Sequence, residues 1–165
     1  MLETKKQVLP VDVSADISAP EIMGWDGEKY IKAIGTKEDS FNGDGSTKTF
    51  TLTYDDVIHG TVIVTVDGSE KTEGTDYTVD YAAGKITFDS APDTGTGNIV
   101  VNYSYFAAEP SAILDEDVTQ SQSPAYALMV VHGIYYEDEF SAAPNADVKA
   151  RLRLHSVFVE PRASA

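Results

Sequence analysis

The chain contains no cysteine, a single tryptophan, three histidines and only 12 basic residues against 27 acidic ones in its 165. Without cysteine there is no disulfide framework and no thiolate chemistry, so core packing or oligomerisation must hold the fold together. The net charge of −15 argues against sequence-independent binding to nucleic acid, which needs clustered lysine and arginine to neutralise phosphates. It fits an outer surface on which copies repel one another in free solution. No apolar run approaches the ~18 residues of a membrane span, and the segment from Met1 to Pro10 lacks the apolar core of a signal peptide. Synthesis in a cytoplasm, with no membrane partner, is therefore expected.

Hydrophobic residues make up 42% of the chain, enough for a folded interior rather than a disordered one. Nine tyrosines and six phenylalanines, together with abundant threonine and valine, favour strands over helices. Residues 1–19 read as an extended N-terminal arm. Val11, Val13 and Ile17 alternate with polar residues there, and Pro10 and Pro20 resist helix. Such a segment can pair with the edge of a neighbouring sheet. Residues 20–36 read as a hairpin turning at Asp26-Gly27, because glycine accepts the positive φ of a tight turn. Trp25 is expected in the core.

From residue 38 to 106 the pattern changes to short alternating strands separated by turn residues. Phe50, Leu52 and Tyr54 share one face, as do Val62, Val64 and Val66, then Tyr77, Val79 and Tyr81, then Ile86 and Phe88, and finally Ile99, Val101, Tyr103 and Tyr105. Five strands at this spacing predict a small β-sandwich-like module. Twelve acids and three lysines lie between Glu38 and Phe106, so most of the excess acidity belongs to this module, as expected of one that projects into solvent. The flanking parts, 20–37 and 107–165, read as a single discontinuous domain. In the second part Ser111 to Val118 is a short strand running into an acidic turn, and Tyr126 to Tyr136 is an apolar run predicted to be buried on both faces, with a bulge at Gly133. Ala143 to His155 is the one convincing helix, capped by Asn145, with Asp147 in its first turn and Lys149, Arg151 and Arg153 toward its negative end. Val157 to Val159 closes as a strand. The predicted fold is mainly β, with one short C-terminal helix and an inserted five-stranded module.

Candidate chemistry is sparse. His59, His132 and His155 are scattered, and neither an H-E-x-x-H pair nor a G-x-S-x-G elbow occurs. A single histidine on an apolar strand, such as His132, is more often a hydrogen-bonded core residue than a metal ligand. Asn42-Gly43-Asp44-Gly45-Ser46 spaces oxygen atoms as calcium loops do. It lacks the closing acid, and the same residues suit a tight turn at a strand entry. Asp115-Glu116-Asp117 reads as a solvated turn. No cofactor, no metal and no catalytic function is expected.

Ser111-Ala-Ile-Leu-Asp-Glu-Asp-Val118, Ala127-Leu-Met-Val-Val-His-Gly-Ile-Tyr-Tyr136, the helix from Asn145 and the strand at Val157 together resemble the lambda-type head decoration proteins of tailed phages. Glu21 to Tyr30 is similar to that family's opening hairpin. The module itself, with Phe-Asn-Gly-Asp-Gly-Ser-Thr at 41–47 and Thr-Asp-Tyr-Thr-Val-Asp at 75–80, resembles a β module recurrent in phage structural proteins. It departs from the decoration family, whose members usually have a short connection there. The resemblance implies a capsid cement protein on the outside of the virion, forming homotrimers at three-fold positions and contacting the major capsid protein. Val8, Leu9, Val11 and Val13 of the arm are the expected capsid contacts. Trp25 and Tyr30 are candidate trimer or capsid contacts. The alternative is a tail-fibre or spike accessory module whose β insert binds a host surface glycan; copies over the whole head favour the first, a few at the tail the second.

Overall fold

The structure is a computed structural model that describes residues 4–162. Its strands are β1 (Lys5–Pro10), β2 (Glu21–Trp25), β3 (Tyr30–Lys32), β4 (Ile34–Gly43), β5 (Thr49–Thr51), β6 (Ile63–Val66), β7 (Ser69–Lys71), β8 (Tyr77–Asp80), β9 (Lys85–Phe88), β10 (Gly95–Phe106), β11 (Pro110–Leu114), β12 (Tyr126–Tyr136) and β13 (Val157–Glu160). A single α-helix, α1 (Ala146–Leu154), follows a short 3-10 turn. The protein is thus mainly β with one short helix near its C-terminus. The chain divides into two compact units: residues up to Ile34 together with those from Ala107 onward, and the intervening Gly35–Phe106.

The first, discontinuous unit is built on one sheet with strand order β1-β12-β11-β2-β3, and β13 pairs in parallel with the far half of β12. The Asp26-Gly27 turn joins β2 and β3 as an antiparallel hairpin, and the Asp26 carboxylate accepts the backbone N–H groups of Glu28 and Lys29 at 2.8 and 2.9 Å. Consecutive residues of β12 are fully buried on opposite faces: Met129 at 0% and Val130 at 1% exposure. One face packs Met129 with Met23, Leu114, Ala127, Val11 and Ile17. On the other side α1 lies against β11 and β13 and buries Val148 and Leu152, one turn apart. Asn145 caps the helix by accepting the Val148 N–H, and Arg151 and Arg153 occupy its last turn.

The arm proves to be part of this unit. β1 pairs antiparallel with β12 from Lys5↔His132 to Pro10↔Tyr126. Beyond β1 the chain crosses to the opposite edge of the sheet, where Asp12 N–H donates to the Tyr30 carbonyl at 2.8 Å, and further on Ile17 pairs with Val118, just past β11. The two sheet edges are thereby drawn together. The apolar positions of the segment decide this: Val11 and Ile17 are 2% and 5% exposed, and burying each stabilises by roughly 1.5–3 kcal/mol. Gly133 is required where the arm meets β12. Its φ is +122°, and a Cβ there would stand 2.6 Å from Thr4 Cα.

The second unit packs a four-stranded sheet, β4-β10-β6-β7, with a three-stranded one, β5-β9-β8. Its core joins Phe50, Ile86 and Phe88 from one sheet to Val64, Ile99, Val101 and Tyr103 from the other. Seven strands stand where the alternation predicts five. β4 is hidden in sequence because after Ile34 its only large apolar residue is Phe41, and β7 is three polar residues after the Asp67-Gly68 turn.

Candidate functional site

Most polar side chains of the first unit are spent on holding it together. The acidic turn after β11 is a fastener rather than a free cluster. Asp115 pairs with Lys6, Glu116 accepts the Leu128 N–H at 2.7 Å, and Asp117 accepts the Ala19 N–H at 2.8 Å. Three segments distant in sequence are fixed by three consecutive acids. Lys149 pairs with Glu137, and Arg162 bridges Asp138 and Glu139 while lying 4.3 Å over the Tyr136 ring. His132, expected in the core, is half-exposed beside Thr4, Lys5 and Lys6.

Among its exposed residues this unit also presents large apolar side chains. Cross-strand partners share a sheet face, as do residues two apart on one strand. Val8 is paired with Leu128 and Pro10 with Tyr126, so these four lie on one face of the β1–β12 ladder. Val8 is 66% and Tyr126 51% exposed. Of the four arm residues expected to contact a capsid, only Val8 is presented. Val11 belongs to the core, and Leu9 and Val13 are half-buried against it. The β1–β12 pairing withdraws Leu9, while Val11 is held by its bridge to Tyr30 and Val13 by the Ser121 N–H that its carbonyl accepts. Sequence reasoning missed Tyr126 and Leu128 because a continuous apolar run gives no sign of where its covering layer ends. Trp25 is likewise not a core residue: it is 45% exposed and packs edge-to-face on its cross-strand partner Tyr30, with ring centres 5.3 Å apart.

The second unit holds a buried polar cluster. The Asp39 carboxylate, 8% exposed, accepts the Thr53 N–H at 2.7 Å, the Thr53 hydroxyl at 2.7 Å and the Tyr103 hydroxyl at 2.8 Å. Burial pushes its pKa up, but these three donors outweigh burial and hold it below the usual carboxylate range. Tyr103 in turn accepts the Tyr54 N–H at 3.1 Å, and burial together with the Asp39 charge pushes its phenol up to about 12. Tyr81 is also pushed up to about 12, by burial and by its hydrogen bond to Glu73. His59 stacks on the Tyr81 ring at 4.0 Å and Tyr54 on Tyr105 at 3.9 Å. In the 42–46 stretch the Asp44 carboxylate is taken up by the turn itself, accepting the Ser46 and Thr47 N–H groups and the Thr47 hydroxyl at 2.6–2.8 Å. Among the described residues no three metal-ligating side chains converge. A cavity of about 420 Å³ opens beside Phe88 and Pro92, with Asp67, Asp76, Asp89 and Asp93 in its lining.

No family model matches the chain, and no solved structure does. It is similar to an uncharacterized protein of Methanocaldococcus jannaschii, MJ0340, at 40% identity over 88 residues. The match covers 48% of this chain and 37% of that protein, so the chain spans little more than a third of its relative's length. No helix among the described residues is long and apolar enough to cross a membrane.

Proposed function

We propose that this protein is a capsid decoration protein of a tailed phage, binding the outside of the head as a homotrimer at three-fold positions. Its partner is the major capsid protein, and its role is mechanical, without a catalytic centre, cofactor or nucleic acid. One observation carries the reading. The segments that resemble the decoration family, 21–30, 111–118, 127–136 and 145–159, fold together as a single unit although Gly35–Phe106 interrupts them. That unit presents the apolar strip of Val8, Pro10, Leu128 and Tyr126, and the Trp25–Tyr30 pair, the kind of surface that marks an interaction site. A stable contact of about 1,600 Å² per neighbour, repeated over a shell, converts modest affinity into firm attachment through simultaneous engagement. DNA pressure would then have to break several interfaces at once.

The test is electron microscopy and heat challenge of particles made with and without the protein. Copies spread over the whole head, with DNA released at a lower temperature when they are missing, are expected. Copies confined to the tail would favour the glycan-binding accessory reading, and no particle association would sink both.

A further inference from the structure

The two places where the chain leaves and re-enters the discontinuous unit lie side by side. Ala107 N–H donates to the Ala33 carbonyl at 2.8 Å, so within that unit the outgoing and returning strands are hydrogen-bonded at the point of exit. Inside Gly35–Phe106 the same two strands continue as neighbours, β4 beside β10. There Gly35 lies so close to Tyr105 that a Cβ would stand 2.4 Å from the ring, a close approach that only glycine allows. Each unit also has its own interior. The cluster of Phe50, Val64, Ile86, Phe88, Ile99 and Val101 draws every member from Gly35–Phe106, and the cluster of Val11, Met23, Leu114, Ala127 and Met129 draws none from it. The inserted strands pair only among themselves, and so do those of the host sheet. A segment whose ends meet and whose core is private adds nothing that the host needs in order to close.

We infer that Gly35–Phe106 is a separately folding module carried on two paired strands, and that attachment to the shell is the work of the discontinuous unit alone. The attachment half of this inference rests on the capsid-decoration reading; the folding half does not. Both are tested in the full-length chain. Ile86→Asp places a charge at a position with no exposure in the module core, and Met129→Asp does the same in the host. Hydrogen exchange of Ile86→Asp should show loss of amide protection across β6, β9 and β10, with protection in β11 and β12 unchanged. The urea midpoint of Trp25 fluorescence, which reports the host, should also stay unchanged. Met129→Asp should give the reverse pattern. Ile86→Asp should still co-sediment with bare heads within about twofold of wild type, and Met129→Asp should not.

Loss of host protection in Ile86→Asp, or of module protection in Met129→Asp, would overturn separate folding. Wild type binding heads while Ile86→Asp, with its host intact, fails to bind would overturn the assignment of attachment. Failure of wild type itself to bind would sink the decoration reading and leave separate folding standing on the exchange data.

Discussion

Removing the Tyr103 hydroxyl should unfasten the inserted module without touching its shape. Tyr103→Phe leaves the ring in place, so no cavity forms, but it deletes the 2.8 Å bond to the buried Asp39 carboxylate and the acceptor of the Tyr54 N–H. A hydrogen bond to a charged group is worth about 1.5–3 kcal/mol, and the orphaned N–H adds to the loss, so a fall of about 2–3 kcal/mol is expected. Asp39→Ala should cost more, because it strands three donors at once. The pH dependence has a defined sign. Asp39 is held below its unfolded value, so its contribution is complete above the unfolded carboxylate pKa of about 3.9 and disappears as pH falls through the lower folded value. The gap between wild type and Tyr103→Phe should therefore narrow in acid. Urea unfolding followed by near-UV dichroism of the module's tyrosines measures this, since Trp25 lies in the other unit. A loss below about 0.5 kcal/mol at pH 7 would refute the reasoning, as would a gap that widens in acid.

Gly133→Ala should destabilise the host unit by about 1–3 kcal/mol, because alanine is strained at φ +122° and its Cβ would meet Thr4; an unchanged urea midpoint of Trp25 fluorescence would show that the arm yields instead. Absorbance titration should leave Tyr81 and Tyr103 un-ionised at pH 11, since both are pushed up to about 12. Their stabilising contribution is complete below the unfolded phenol value of about 10 and is lost as pH rises through 12, so Tyr81→Phe with Tyr103→Phe should leave the tyrosinate signal at pH 11 unchanged.

Local chemistry was legible in the sequence where one residue type has one physical use. The Asp26-Gly27 hairpin and the Asn145 cap follow from such rules, whereas β12, expected to be buried on both faces, is so only around Met129 and Val130 and exposes Tyr126 and Ile134. What escaped depended on partners far along the chain. Period-two alternation in the arm marks Val11 as apolar and extended, but not whose interior receives it, and the receiving cluster of Met23, Leu114 and Met129 lies mostly far along the chain. Trp25 reads as core by size alone, yet it sits at the end of a hairpin where the layer above it has run out. The acids 115–117 look solvated because their partners, Lys6, Ala19 and Leu128, are close only after folding. The candidate attachment strip shares that limit: the alternation marks Val8, while Leu128 and Tyr126 become visible only through strand register.

The pairing of β1 with β12 also fixes an order of events on the ribosome. Lys5 emerges well before its partner His132, so β1 must wait, unpaired, until β12 has been translated. Every strand between Thr49 and Phe106 has its partners nearby and can close in the meantime. Gly35–Phe106 can therefore be finished before the strand that precedes it finds its partner.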